Sequence, residues 1–217
     1  KVEVLNMAIN LMGDKFYHLD EELLYDPPSY YEERGLESVS LHSVKPYDLD
    51  TDVVRHEPLD IACDANASIN TMVVGQPLQD EYRLLNGLYV KKPKWISHNA
   101  HQFCDYYEPH PKKEVNFFYN HTFVGVDAGR PVSFKDQYVE ILQKRGWTVN
   151  EYYIGQAASH LTRYEVVNKH LQQIDGRMPI RFNRRRTKDL WIALDSTAIR
   201  TINGQAKKDK RPEGDRN

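Results

Sequence analysis

The segment between Pro58 and Gln76 constrains the fold of this chain more than any other part of it. It reads PLDIACDANASINTMVVGQ, in which an apolar run ends in Asp64, a short polar turn follows, and a second apolar run leads away. This pattern predicts two antiparallel strands joined by a tight turn. Asp64 then lies at the rim of a sheet, where its carboxylate either serves catalysis or, as in an ordinary hairpin, bonds the turning backbone.

The alternation of elements continues after this hairpin. Ser133 and Asp136 form a helix-capping signal, and Gly146 ends that helix well. Three strands that pair as hairpins, followed by strand–helix alternation, predict an α/β domain whose mixed sheet is flanked by helices. This order is similar to that of the ribonuclease H-like fold. Strands are expected at about 58–64, 69–76, 82–92, 114–119, 147–154 and 178–182, and the other helices at about 96–107, 160–174 and 187–199.

Length and composition indicate one domain with an added arm. With 217 residues, of which 40% are hydrophobic, the chain can bury one sizeable core. Residues 1–57 mix a short helical pattern with acidic, loop-like sequence, and we predict an N-terminal arm or linker packed on a domain of residues 58–217. Without a signal peptide or a membrane-length apolar run, an intracellular protein or a fragment of a longer one is expected. Cys63 and Cys104 are expected to be reduced, buried and inert.

Basic side chains are concentrated in the later part of the chain. Residues 1–60 carry 5 Lys and Arg against 14 Asp and Glu, whereas residues 61–217 carry 24 against 17. Three clusters predict salt-sensitive binding to the backbone of double-stranded DNA. The alternative is a solvated surface of uneven charge. The clusters are Lys91, Lys92 and Lys94; Arg181, Arg184, Arg185, Arg186 and Lys188; and Lys207, Lys208, Lys210 and Arg211.

Several short strings follow one another in an order typical of one protein family. They are VEVLN at 2–6 with GDKFY at 13–17, the hairpin around Asp64, FFYNHT at 117–122, GW at 146–147 with YIG at 153–155, and INGQ at 202–205 with KKDKRPE at 207–213. In this order they resemble the C-terminal nuclease domain of the large subunits of tailed-phage terminases, the DNA-packaging motor proteins. The likeness covers nearly the whole chain, and the order of the strings carries it more than any single string.

The resemblance implies a function and its requirements. It implies an endonuclease that cuts concatemeric viral DNA during genome packaging, by phosphodiester hydrolysis at two Mg²⁺ or Mn²⁺ ions. The partners it implies are double-stranded DNA, the ATPase domain and small subunit of the terminase, and the portal, with no membrane involved. The place of action would be the cytoplasm of an infected or lysogenic bacterial host.

Asp64 and Asn120 are the predicted catalytic and metal-binding positions, and the second departs from the family pattern. The resemblance calls for an Asp where this chain has Asn120, and for a third carboxylate shortly after the lysine-rich tail, beyond Asn217. An amide offers a carbonyl oxygen but no charge, so weaker metal binding and little or no cleavage are expected. A natural difference and an engineered substitution both remain open at position 120.

Two other functions remain open on the sequence. A catalytically silent domain that binds DNA or docks on the portal is favoured by Asn120 and by the missing third acid. Another ribonuclease H-like protein, such as a transposase or a resolvase, would differ in where its third acid falls. The chain has no GxxxxGK[ST] string for ATP and no GxSxG string for acyl chemistry.

Other polar residues are weaker candidates for the site. Asp127 is a candidate ligand, but its position in a Gly-flanked loop favours a role in a turn. Glu151 is expected to face solvent or a cation. No zinc site is expected, because the histidines lack a Cys pair or an HExxH string. His121, next to Asn120, is retained as a water-positioning residue. The remaining acids considered as ligands are Asp189 and Asp195, and the remaining histidines are His98, His101 and His110.

Overall fold

The computed structural model describes residues 15–27, 50–65, 69–127, 130–156, 158–202 and 205–208. The helices are α1 (Ser97–Tyr106), α2 (Phe134–Lys144), α3 (His160–Leu171) and α4 (Lys188–Asp195). The strands are β1 (Leu24–Tyr25), β2 (Leu59–Ala65), β3 (Ile69–Pro77), β4 (Tyr82–Lys91), β5 (Glu114–Tyr119), β6 (Val126–Asp127), β7 (Arg130–Ser133), β8 (Thr148–Tyr153), β9 (Ile180–Asn183), β10 (Ile199–Ile202) and β11 (Gln205–Lys208).

One mixed sheet of seven strands organises these elements. Its strand order is β1-β9-β4-β3-β2-β5-β8. The central strands β2, β3 and β4 pair antiparallel, whereas β2–β5, β5–β8, β4–β9 and β1–β9 are parallel pairs. Parallel pairing requires the intervening helices to cross over the sheet. The predicted α/β fold class, three antiparallel strands followed by strand–helix alternation, is confirmed.

The predicted elements lie close to the observed ones, except near the end of the chain. Ser133 caps α2 as expected, its hydroxyl accepting a hydrogen bond from the backbone N–H of Asp136. The third helix was predicted to run to 174 but ends at Leu171, where Gln173 adopts a left-handed φ of 55°. The prediction of a last helix to 199 was wrong, because α4 ends at Asp195 and residues 199–202 form β10, paired with β11. The short strands β1, β6, β7, β10 and β11 were not predicted.

The main core lies between one face of the sheet and the helices α1 and α2. Alternate residues of the central strands point into it and are fully or almost fully buried. Cys63 and Cys104 belong to this core as free thiols, as predicted. Burial raises the pKa of Cys104 to about 11 and that of Cys63 well above its usual value, so both thiols stay protonated at neutral pH. The other strand residues of this core include Leu59, Ile61, Met72, Val74, Val115 and Phe117.

On the opposite face of the sheet, the described residues form an apolar cover at one side only. Near β9 and β1, a smaller apolar cluster containing Leu171 and Phe182 packs with Trp191 of α4. Over β2 and β8, in contrast, Ala62 and Tyr152 are exposed. We call this uncovered part of the described sheet the open face. In the described part of the chain, no helix is long and apolar enough to cross a membrane.

Two buried carboxylates fix the segment that leads into β2. The hydroxyl of Tyr106 on α1 donates to Asp50, and the Nε of Arg186 lies 3.4 Å from the same carboxylate. Asp52 accepts from the Tyr25 hydroxyl at 2.5 Å and from the Asn183 side chain at 2.9 Å. Residues before 58 therefore supply both a strand and anchoring contacts to the sheet. The division into an arm of 1–57 and a domain of 58–217 stays a prediction.

Asp50 makes the stability of the fold depend on pH. Its burial raises the pKa to about 6 from 3.8, although Tyr106 and Arg186 oppose this shift. Because the native state binds this proton more tightly than the unfolded chain, the resulting stabilisation is complete below about pH 4 and is lost as the pH rises through about 6. We define the gap as the free energy of unfolding of the unsubstituted chain minus that of Asp50→Asn. This gap should therefore fall by about 2–3 kcal/mol from pH 4 to 7.

Urea denaturation at a series of pH values, followed by circular dichroism, measures this gap. Asp80→Asn serves as a control because it removes a carboxylate at an exposed position. A gap for Asp50→Asn that is as independent of pH as the gap for the control would contradict the prediction.

Candidate functional site

Asp64 lies on the open face at one end of β2. Cys63 and Ile61 point into the core, so the alternation of the strand sends Asp64 to the opposite face, where it is exposed. Across the antiparallel pairs, Asp64 stands opposite Thr71 of β3, which in turn stands opposite Tyr89 of β4. A carboxylate, a hydroxyl and an aromatic ring thus form one row across three strands. We call the edge of the open face that carries this row the rim.

Asn120 follows directly after β5, the parallel neighbour of β2. The last paired residues of the two strands are Ala62 and Phe118. Two residues beyond this last pair come Asp64 in β2 and Asn120 directly after β5, so both residues follow the same end of the paired region. The sequence prediction that residues so distant in the chain share a sheet edge therefore has a structural basis in this strand pair.

The Asn120 side chain is already engaged in a local turn. Its Oδ1 accepts hydrogen bonds from the backbone N–H of Thr122 at 2.9 Å and from the Thr122 hydroxyl at 2.6 Å. It thereby caps the short 3₁₀ turn His121–Val124. The amide nitrogen is a donor and cannot ligate a cation. The only oxygen of this side chain is thus used twice before any ligand approaches.

The described residues do not by themselves fit a centre of two divalent ions. Hard cations such as Mg²⁺ need several oxygen ligands, mostly charged ones. Among the residues that the structure describes, no three His, Cys, Asp or Glu side chains converge on one point. The rim offers one exposed carboxylate, Asp64, and the engaged amide of Asn120. A carboxylate at position 120 and a further acid are needed to complete such a centre.

A ladder of polar side chains crosses the open face behind the rim. Asp60, nearly buried, accepts from the Tyr82 hydroxyl at 3.0 Å and from the Asn116 amide at 2.8 Å. The Asn150 amide in turn donates to Asn116 Oδ1 at 3.1 Å. Tyr82 reaches Asp60 by passing over Gly75 of β3, where an added Cβ would lie only 2.6 Å from the tyrosine ring. The ladder ties β2, β5 and β8 together in one register.

Sequence reasoning missed this ladder, although its signal is present. Asp60, Asn116 and Asn150 are each polar residues inside an otherwise apolar or aromatic strand. A polar residue on a half-buried strand needs a partner. The three could have been matched only once the strand order and the register were known.

Between the ladder and the rim, an aromatic pair stands on the open face. Phe118 of β5 and Tyr152 of β8 stack with ring centroids 4.8 Å apart and an interplanar angle of 17°. Tyr152 is exposed. The pair therefore gives the open face a flat apolar step beside Asp64 and Asn120.

The other acidic candidates have partners or lie outside the rim. Glu151 points to the helix-covered face, where its carboxylate lies 3.2 Å from Lys135 Nζ, so the expectation that it faces a cation is confirmed. Asp195 pairs with Lys15 at 2.5 Å. Asp189 is exposed in the first turn of α4. Asp127 lies in β6, and its side chain is outside the described residues.

The histidines serve local structure where their contacts are described. His98 Nδ1 accepts from the backbone N–H of Trp95 at 3.2 Å. His110 is buried, lies 2.9 Å from the Glu57 carbonyl oxygen and stacks on Trp147. Burial lowers the pKa of His110 and so favours its neutral form. His101 and His121 are exposed, and the water-positioning role of His121 stays a prediction.

The basic clusters differ in how accessible they are. Lys91 and Lys92 are exposed at the end of β4. Arg186 is held at Asp50 and lies 5.2 Å from the centre of the Tyr106 ring, and Arg184 lies 3.1 Å from Asp26. Arg185 is exposed. Lys207 and Lys208 lie in β11, but their side chains are outside the described residues. The whole of Lys210 is outside them as well.

Comparison with known proteins finds a similar fold in solved terminase structures. No protein-family model and no curated protein matches the chain in sequence. The fold is similar to that of a large terminase from a thermophilic bacteriophage, with a TM-score of 0.55 and 11% sequence identity over 92% of this chain. That match covers 42% of the thermophilic phage protein, so the chain spans less than half its length.

Two isolated nuclease domains resemble the chain more distantly. One is the Mn-soaked terminase nuclease domain of human cytomegalovirus, with a TM-score of 0.42, 13% identity and coverage of 74% of this chain and 77% of that one. The other is the nuclease domain of g2p, the large terminase of bacteriophage SPP1, with bound Mn, a TM-score of 0.41, 12% identity and coverage of 75% and 82%. These two are too distant to bear on function. The structural neighbours of this chain are thus terminase proteins, and the expected ribonuclease H-like architecture is confirmed.

Proposed function

We propose that this chain is the metal-dependent DNA endonuclease domain of a phage terminase large subunit. The observation that carries the proposal is the exposed carboxylate of Asp64 at the rim, at the same end of the sheet as position 120, which directly follows the neighbouring parallel strand. Its setting, a mixed sheet similar to part of the large terminase of the thermophilic phage, supports it. Carboxylates delivered by adjacent strands to one edge are the arrangement in which Mg²⁺ or Mn²⁺ ions assist phosphodiester hydrolysis.

The proposed substrate and partners follow from this assignment. The substrate is double-stranded concatemeric DNA, held through its backbone by basic residues such as Lys91, Lys92 and Arg185. The proposed partners are the terminase ATPase domain, the small subunit and the portal, in the cytoplasm of a bacterial host. Of the other basic residues first considered, Arg184 and Arg186 are held by carboxylates.

A second function is favoured by the hydrogen bonds of Asn120. Its amide carries no charge and its only side-chain oxygen accepts two bonds from Thr122, so among the described residues Asp64 has no second anionic ligand beside it at this position. A catalytically silent domain that binds DNA or docks on the portal is consistent with this geometry. The two functions are separated by restoring a carboxylate at position 120.

The first prediction concerns the fold of the restored variant. Asp and Asn are equally good caps of a helical turn, whereas Ala is not. Asn120→Asp should therefore retain the stability of the natural chain, and Asn120→Ala should lose about 1 kcal/mol in free energy of unfolding. Urea denaturation of the three proteins tests this. Asn120→Ala with the same stability as the unsubstituted chain would show that Asn120 does not act as a cap, and an equal loss in both variants would show that Asp does not replace it as a cap.

The second prediction concerns chemistry. An Asp at position 120 can cap with one oxygen and present the other at the rim, so Asn120→Asp should bind Mn²⁺ at least about tenfold more tightly. In a chain extended past Asn217 to include the third carboxylate that the resemblance calls for, Asn120→Asp should convert supercoiled plasmid to nicked and linear forms in Mn²⁺, whereas the same extended chain with Asn120 should cut little or not at all. Calorimetric titration and gel electrophoresis measure the two effects.

Asp64→Ala is the control in both backgrounds. Cleavage that survives the loss of Asp64 would refute the assignment of this carboxylate to the site. If no variant binds Mn²⁺ or cuts DNA, but all bind DNA in a salt-dependent manner, the silent DNA-binding domain is the correct function.

A further inference from the structure

An exposed tryptophan stands among three lysines just after the end of β4. Trp95 is 64% exposed, which is unusual for a large aromatic side chain in a folded protein. Lys91, Lys92 and Lys94 precede it within four residues and are all exposed. We call residues 91–95 the basic turn. Such a combination of cations and an exposed ring is typical of surfaces that hold single-stranded nucleic acid.

The basic turn shares its sheet edge with Asp64. It begins at Lys91, the last residue of β4, which pairs with Ile69 at the start of β3. Asp64 and Ala65 pair with the next residues of β3, Thr71 and Asn70. Both the carboxylate and the basic turn therefore lie where the β2–β3 hairpin turns. A strand of nucleic acid bound at one is within reach of the other.

The lysines of the turn have no acidic partner among the residues that the structure describes. Within the described part of the chain, no carboxylate lies at ion-pairing distance from Lys91, Lys92 or Lys94. The contact described for Lys91 is with an aromatic ring, its Nζ lying 5.6 Å from the centre of Tyr89. Tyr89 belongs to the row that contains Asp64 and is itself 40% exposed. The positive charge at this edge is therefore available to a polyanion.

The backbone of the turn is fixed although the indole is not covered. The backbone N–H of Lys94 donates to the Lys91 carbonyl at 3.1 Å, and that of Trp95 donates to His98 Nδ1 at 3.2 Å. Ile96, the next residue, is buried in the core. The position of Trp95 is thus set by its neighbours, while its ring faces outward. An aromatic ring presented on a fixed backbone loses little conformational freedom when it binds.

We propose that the basic turn grips a DNA strand beside the rim and that Trp95 stacks on an unpaired base of that strand. A base in an intact duplex already stacks on its neighbours, so the indole can accept one only at a strand end or in an opened segment. The substrate class is therefore DNA with unpaired bases next to the site of cutting. The statement that DNA is cut beside the basic turn rests on the proposed function. The binding of DNA by the basic turn does not depend on it.

Binding without cleavage tests the inference. Fluorescence anisotropy in EDTA compares a labelled single strand, a blunt duplex of the same sequence, and that duplex with an unpaired overhang. The full chain should bind the single strand and the overhang more tightly than the blunt duplex. Trp95→Ala should weaken binding of the first two by about 5- to 150-fold, without changing the salt dependence. Trp95→Tyr should restore most of the loss, because it keeps an aromatic face.

The charge of the turn is tested separately with a matched control. Replacement of Lys91, Lys92 and Lys94 by Gln should lower the slope of log affinity against log salt concentration by about 2. The control replaces three exposed lysines that pair with acids elsewhere, so it changes the net charge equally. These are Lys112, paired with Glu114, Lys144, paired with Glu140, and Lys169, paired with Asp175.

Several outcomes would overturn the inference. Single-strand binding by Trp95→Ala within about twofold of the natural chain would exclude stacking at this residue. Equal salt slopes for the two lysine variants would exclude the basic turn as a backbone contact. Equal affinity for the blunt and overhanging duplexes would exclude the unpaired base.

The failure of the inference and that of the proposed function can be told apart. Loss of binding in the turn variants, without any Mn²⁺-dependent cleavage by Asn120→Asp, rejects the nuclease and keeps the basic turn. Cleavage by Asn120→Asp together with unchanged binding by the turn variants rejects the role of the basic turn and keeps the nuclease.

Discussion

The parallel pairing of β2 with β5 is the constraint on which the rest of the structure depends. Leu59 and Ile61 on one strand and Val115 and Phe117 on the other are all completely buried against the helices. Their burial fixes the phase of both strands, because a slip of one residue would turn every side chain to the opposite face. The same phase sends Asp64 to the open face. The chemistry of the rim is thus set by apolar packing on the other side of the sheet.

The polar ladder supports this arrangement from the open face. A carboxylate that is removed from water needs hydrogen-bond donors, and Asp60 receives them from β4 and β5. Only a residue without a side chain lets Tyr82 cross β3 to reach it, which accounts for Gly75. Register is therefore specified twice, by apolar contacts on one face and by hydrogen bonds on the other. Such a platform limits how far the two sides of the rim can move apart.

The sequence predicted the parts of this fold that depend on local pattern. The β2–β3 hairpin, β4, α1 and the capped start of α2 each carry a periodicity or a cap that acts over a few residues. The fold class followed from their order. Of the residues predicted for the site, Asp64 lies on β2 and Asn120 directly follows β5, the parallel neighbour of β2, but their catalytic role stays a prediction.

What the sequence did not reveal depends on partners that are distant in the chain. The two residues of β1 form a strand only because β9 lies beside them. The arginine cluster reads as a uniform basic run, yet Arg186 is bound to Asp50 and Arg184 to Asp26. Trp95 gives no sign in the sequence that it lies outside the core. Each of these is fixed by tertiary contacts that no local pattern encodes.

Position 120 separates the requirements of the fold from those of the chemistry. The cap of the turn after β5 needs one oxygen, which Asn and Asp supply equally well. A divalent cation needs negative charge and a second oxygen, which only Asp supplies. Packing therefore places no restriction on which of the two residues stands there, and the chain can keep its sheet, ladder and rim with either. In the proposed nuclease, the oxygen atom that distinguishes a carboxylate from an amide at position 120 is therefore a requirement of the metal ions and not of the fold.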